Sequence, residues 1–270
     1  LELGYGPDGG VFLLDWSDTG ECHDHTGVHR TSGRIYKITY GEPKPPQVGD
    51  LTKLTVSELV KLHLHANEWF VRQARLQLAD RATAGTDFDT AKTQLREMFA
   101  RQPDGVMKLR ALWSLYTIGA ADEAFLRAQL RHPDEHVRTW AIRLLTDFWP
   151  LDTVISTRPS PGSVGDDVRS LTNSKSRNSQ SLVTSSATLK ELTRLAKEDK
   201  SALVRLALAT VLQRLPVAQR AGLAAPLLAH AEDANDHNLP LMIWYGLIPV
   251  GDVAPATLAT LAADCRLPLT

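Results

Sequence analysis

The register in which apolar residues recur along the C-terminal part of the chain constrains its fold more than any other feature. Between His136 and Trp149, the residues Val137, Trp140, Ala141, Leu144, Leu145 and Phe148 fall at i, i+3, i+4, i+7, i+8 and i+11. That spacing gives a helix with one broad apolar face. Val204, Ala207, Leu208, Val211, Leu212 and Leu215 repeat the template in identical register. Both helices open on a Val-Arg pair, Val137-Arg138 and Val204-Arg205, and Val71-Arg72 repeats the pair with Ala74 and Leu78 behind it. Further helices at Met107–Tyr116 and Leu241–Leu247 put successive elements about 30–37 residues apart, the period of a helix-pair solenoid.

Partner helices are expected near Glu58–His65, Thr90–Arg101, Asp122–Arg131, Leu189–Lys197 and Ala218–Ala231, joined by short turns such as His132-Pro133-Asp134-Glu135. Acidic residues in that turn sit where the helix dipole favours negative charge. Arg72, Arg138 and Arg205 are then available to pair with an acid of a neighbouring repeat, a structural role. Trp69, Trp113, Trp140, Trp149 and Trp244 read as packing residues. The stretch 156–188, rich in Ser, Thr, Asn and Gly, has almost no apolar periodicity and reads as a disordered insertion. The fold class expected is mainly α: a HEAT-like α-solenoid over 55–270 with a short N-terminal β-hairpin or partial propeller blade.

The first forty residues follow another pattern. Gly6-Pro7-Asp8-Gly9 is turn chemistry leading into the apolar run Val11–Leu14, and Gly33–Ile38 alternates as a second strand. A two-stranded ribbon is marginal alone, so residues 1–40 are expected to be the last strands of a larger β-structure. Three prolines in Gly41–Pro46 mark 41–54 as a linker, and Thr55-Val56-Ser57-Glu58 is a capping box that starts the first helix.

Between the two strands lie Asp15, Asp18, Glu21, Cys22, His23, Asp24, His25, His29 and Arg30. His23 and His25 with Cys22 or His29 could complete a Zn or Cu site, although the spacing fits no standard motif. Alternatively His25 and His29 act as acid and base on a polar substrate with Arg30 as an anion clamp. A third possibility is a solvated loop whose side chains bond their own backbone.

Composition narrows the classes. Lys+Arg 30 against Asp+Glu 31 leaves a net charge of −1, giving no bulk attraction to nucleic acid or anionic membrane. No apolar run approaches the roughly 18 residues of a membrane span. The two cysteines, Cys22 and Cys265, exclude a C-x-x-C-H haem attachment within the chain.

The stretches Gly6–Trp16, Asp18–His25 and Gly27–Ile38, with His132–Arg138 and Asp236–Gly246, resemble the PVC-type haem-binding, membrane-bound dehydrogenase-domain family, whose propeller is like that of glucose/sorbosone dehydrogenases. The resemblance implies an extracytoplasmic, multidomain parent protein: a six-bladed propeller, HEAT-like repeats, then a cytochrome c module carrying haem c. This chain would lack the first blades and the haem motif, so it carries no cofactor itself. Its partners would be the neighbouring blades and the cytochrome c domain. Two functions follow as expectations. One is the scaffold portion of a haem-linked sugar or alcohol dehydrogenase-like protein, in which the chain alone is not catalytic. The other is a HEAT-repeat module binding a protein or glycan, with no catalysis at all.

Overall fold

The computed structural model describes residues 2–15, 33–43, 46–86, 88–151 and 186–267. The chain is mainly helical, with a small antiparallel sheet at its N-terminal end. It divides into two compact units, Leu1–Ala121 and Asp122–Thr270.

The sheet of the first unit has three strands, β1 (Glu2–Tyr5), β2 (Val11–Asp15) and β3 (Arg34–Ile38), in the order β1-β2-β3. The expected hairpin therefore gains a strand. Glu2-Leu3-Gly4-Tyr5 is too short, and too interrupted by Gly4, to show alternation on its own. The turn after it supplies the pairing: the Gly6 N–H donates to the Gly10 carbonyl at 3.0 Å, and Gly9 takes the positive φ of 80° that closes the bend. The register places Leu3, Leu13 and Tyr36 side by side on one face, next to Tyr5, Val11 and Ile38. Phe12, Leu14 and Ile35 occupy the other.

Helices α1 (Val56–Lys61), α2 (Glu68–Thr83), α3 (Phe88–Arg101) and α4 (Gly105–Thr117) complete this unit. Thr55 caps α1 and closes a reciprocal capping box with Glu58, which fixes where the helix starts. Asn67 caps α2 through its side-chain oxygen, and its amide nitrogen donates to the carbonyls of Gly6 and Pro7 at 3.1 and 3.2 Å. One residue thus both starts a helix and holds the β1–β2 turn against it.

The second unit contains α5 (Glu123–Gln129), α6 (Glu135–Thr146), α7 (Ser186–Glu198), α8 (Ala202–Val211), α9 (Val217–Leu228), α10 (Leu239–Val253) and α11 (Pro255–Asp264). Here α6 packs on α8 and α8 on α10, while α7 packs on α9 and α9 on α10 and α11. All six residues of the Val204 template are buried in a core running from Leu130 to Leu267. Each Val and Leu among them contributes about 1.5–3 kcal/mol by leaving water. In the Val137 template the last position departs: α6 ends at Thr146, so Phe148 escapes the helical register and is 79% exposed. Helix α7 starts at Ser186, inside the 156–188 segment expected to be irregular, while 152–185 lie outside the described residues. Where α8 and α10 meet, Gly246 lets the backbones close: a Cβ there would sit 2.5 Å from Leu212 Cβ.

Candidate functional site

The loop that carries most of the chemistry in the sequence, with Cys22, His23, His25, His29 and Arg30, lies outside the described residues. Its two ends are described. Asp15 closes β2 opposite Arg34, which opens β3, so the loop leaves and re-enters the sheet at one end of that strand pair.

The three repeat arginines divide into a pair and an exception. Arg138 donates through Nε and Nη2 to the two carboxylate oxygens of Asp199 at 2.7 and 2.9 Å, and through Nη1 to the carbonyls of His132 and Pro133. Arg205 repeats the arrangement on Asp233 at 2.5 Å for both bonds, with Nη1 donating to the Asp199 carbonyl at 2.8 Å. Asp199 therefore accepts from both arginines, its carboxylate from Arg138 and its backbone from Arg205. Both arginines lie four residues beyond their helix caps, Asp134 and Ser201, which is why the geometry recurs. Arg205 and Asp233 are both almost fully buried, and the hydrogen bonds to Asp233 raise the Arg205 pKa further. Arg72 lies five residues beyond its cap, Asn67, and faces the sheet instead, with its guanidinium 5.9 Å from the Tyr5 ring centre. The shared Val-Arg dipeptide thus hides a one-residue shift in helical phase.

A polar network in the first unit escaped the sequence analysis. Arg75 Nε donates to Ser114 Oγ at 3.3 Å, and Ser114 Oγ lies 2.6 Å from His63 Nε2. His63 Nδ1 is 3.1 Å from the Leu59 carbonyl. A carbonyl only accepts, so Nδ1 carries the proton, Nε2 accepts, and Ser114 donates to it. Burial pushes the His63 pKa down to about 4, against the raising effect of the Leu59 bond, and the charge of Arg75 lowers it further. Arg110 runs beside the network, bonding the His63 and His65 carbonyls and pairing with Glu68 at 2.5 Å.

This hydrogen-bond order, hydroxyl to imidazole to an orienting acceptor, is that of a nucleophile and its base. Burial decides against catalysis: His63 and Ser114 are both fully inaccessible, and Ser114 sits within the ladder of α4, where no reacting carbonyl can approach. The network ties α4 to the segment after α1. Its signal in the sequence was a His and a Ser at positions that face the core. Arg220, also buried, donates to the Leu215 carbonyl at 3.0 Å and the Gly246 carbonyl at 2.9 Å, beside the break that Pro249 makes in the ladder of α10.

Among the described residues, the second unit carries several open grooves, two of them lined by charged side chains. One of 590 Å³ runs past Arg131, Arg138, Arg194, Glu198 and Lys200, whose arginines are engaged by Glu191, Glu198 and Asp199. Another of 460 Å³ is lined by Trp140, Arg143, Asp147, Gln213, Arg214 and Met242. Among the described residues, no group of three His, Cys, Asp or Glu is placed to hold a metal ion, and no helix is long and apolar enough to cross a membrane. No family model, curated protein or solved structure matches the chain.

Proposed function

We propose that the chain is the helical-repeat scaffold portion of an extracytoplasmic, haem-linked sugar or alcohol dehydrogenase-like protein, with its N-terminal sheet as one part of a larger β-propeller. The observation that carries this proposal is the state of the sheet. Leu3, Tyr5, Val11, Phe12, Leu14, Ile35, Tyr36 and Ile38, spread over both faces, are all at least 36% exposed. A sheet in water keeps one polar face; apolar side chains on both call for cover on both sides. Adjacent blades of a propeller supply such cover. The repeated Arg138–Asp199 and Arg205–Asp233 pairs support the helical part as a stack of equivalent units whose role is to hold shape.

Substrate oxidation and the haem c that would receive the electrons belong, in this proposal, to the parent protein, as the family resemblance implies. His25, His29 and Arg30, which fall between β2 and β3 in the sequence, are the residues this proposal assigns to the substrate. The test is absorbance of the haem in the whole gene product on addition of sugars and alcohols. Substrate-dependent reduction that is lost in His25→Ala or Arg30→Ala supports the proposal. A whole gene product without haem, or variants with unchanged turnover, refutes it.

A second reading, a protein- or glycan-binding module without catalysis, is favoured by the 460 Å³ groove, which is lined by Asp147, Gln213 and the Trp140 ring, the last with Arg143 stacked 5.2 Å from its centre. Calorimetric titration with oligosaccharides, compared between the chain and its Gln213→Ala variant, distinguishes it.

A further inference from the structure

Helix α2 carries Arg72 and Arg75 at i and i+3, a spacing that sets two side chains about 5–6 Å apart at Cβ on one side of a helix. Each guanidinium lies over an aromatic ring. Arg72 is 5.9 Å from the ring centre of Tyr5 in β1, and Arg75 is 5.3 Å from that of Trp113 in α4. Such stacking uses the face of a guanidinium and leaves its edge, which carries the N–H groups that grip carboxylates and phosphates in pairs. Among the described residues, Arg72 donates no hydrogen bond, and neither arginine pairs with a carboxylate. Arg75 has a single hydrogen bond, the long one of 3.3 Å to Ser114, and its Nη2 is buried without an acceptor. Arg110, Arg138 and Arg205 differ, since each holds a carboxylate.

The charge around the pair is unbalanced. Arg75 feels the guanidinium groups of Arg72 and Arg110 and one carboxylate, Glu68, which Arg110 has already engaged. Burial lowers the Arg75 pKa, Glu68 opposes that, and Arg72 and Arg110 lower it further. Two positive charges are thus left over, on adjacent side chains whose mutual repulsion weakens the helix. We infer that Arg72 and Arg75 form a binding site for a small dianionic oxyanion, a phosphate or sulfate group carried by the free ion or by an ester. A dianion cancels both charges, whereas a monocarboxylate cancels one. The two rings hold the guanidinium planes before the ligand arrives, so less freedom is lost on binding. The weak bond to Ser114 lets Arg75 turn its unfilled Nη2 toward the anion, and the exposure of Arg72 and Tyr5 opens the site to solvent.

Titration of the 270-residue chain with sodium phosphate and with sodium sulfate, against sodium chloride at equal ionic strength, tests this through the Nε–H NMR signals of its arginines. The Arg72 and Arg75 signals should shift together and saturate with one Kd of about 1 mM or tighter. Methyl phosphate separates the two sources: equal binding admits esters, and exclusion restricts the site to the free ion. Arg72→Gln, at an exposed position, should weaken binding by at least about tenfold with unchanged far-UV circular dichroism. Arg72→Lys, which keeps the charge and loses the fork, should weaken it by about threefold. Arg101→Gln, at the end of α3, should leave it unaltered. Absence of saturation up to about 50 mM phosphate overturns the inference. So does binding that leaves the Arg75 signal unmoved, that survives Arg72→Gln, or that Arg101→Gln weakens as much.

Discussion

His63 makes the first unit sensitive to acid in a way that can be calculated. Its side chain is fully buried and neutral, and its pKa is lowered from 6.5 to about 4, first by burial and then by the neighbouring Arg75 and Arg110. Glu68, paired with Arg110, is the acid beside the cluster, and it does not touch the imidazole. A histidine with a depressed pKa is protonated in the unfolded chain before it is protonated in the folded one. Stability is therefore complete above pH 6.5, is lost as pH falls toward 4, and levels off below. Integrated across that window the loss is about 3 kcal/mol, and between pH 7 and pH 5 alone it is about 2 kcal/mol. Urea denaturation at both pH values, followed by hydrogen exchange at Leu109–Leu115 in α4, reads this unit separately from the other. His63→Gln retains an oxygen able to accept from Ser114 and has no titrating ring. It should lower stability at pH 7 and lack the extra loss at pH 5, while all carboxylates are common to both proteins and cancel. Equal pH dependence in the two proteins would refute the assignment of a neutral buried imidazole.

Three further outcomes follow from the packing. Asp233→Ala leaves Arg205 buried without its carboxylate and should destabilise the second unit by about 3–5 kcal/mol in urea; Arg205→Met with Asp233→Leu should recover most of that. Asn67→Asp retains the α2 cap but loses both donors to the Gly6 and Pro7 carbonyls, so amide exchange in β1 should accelerate with a loss of about 1–3 kcal/mol. Gly246→Ala forces a methyl against Leu212 and should lower stability by about 1–3 kcal/mol. Gly222→Ala, where a Cβ in the interior of α9 meets nothing within 4 Å, should instead be neutral or stabilising by up to about 1 kcal/mol; thermal melts of both variants compare them.

Periodicity made the helices legible and left their ends and phases less so. The Val204 template names six buried residues because the buried face is what repeats at 3.6 residues. Phe148 fails at the same template because nothing in the apolar pattern marks the end of α6 at Thr146. Arg138 and Arg205 share a pairing geometry because each lies four residues past a capping side chain. Arg72 shares only the dipeptide, and its cap sets it one residue out of phase. Strand β1 carries too few side chains for alternation to show, and α11, built largely from Ala and Thr, has a weak apolar stripe. The His63–Ser114–Arg75 network joins residues 51 and 39 positions apart, and only the packing of α4 against the segment after α1 brings them together. The loop chemistry around His25 and Arg30 was read from residue types alone, since those residues lie outside the described ones.

The proposal that the sheet belongs to a larger β-structure is tested most directly by hydrogen exchange. Amides of Glu2–Tyr5 and Arg34–Ile38, the two edge strands, would be compared between the 270-residue chain and the whole gene product. Weak protection in the chain and at least about a hundredfold slower exchange in the whole protein is the expected result, because cover and added pairing suppress local opening. Equal exchange in both would mean that the sheet gains no neighbours, and the scaffold proposal in its present form would fail.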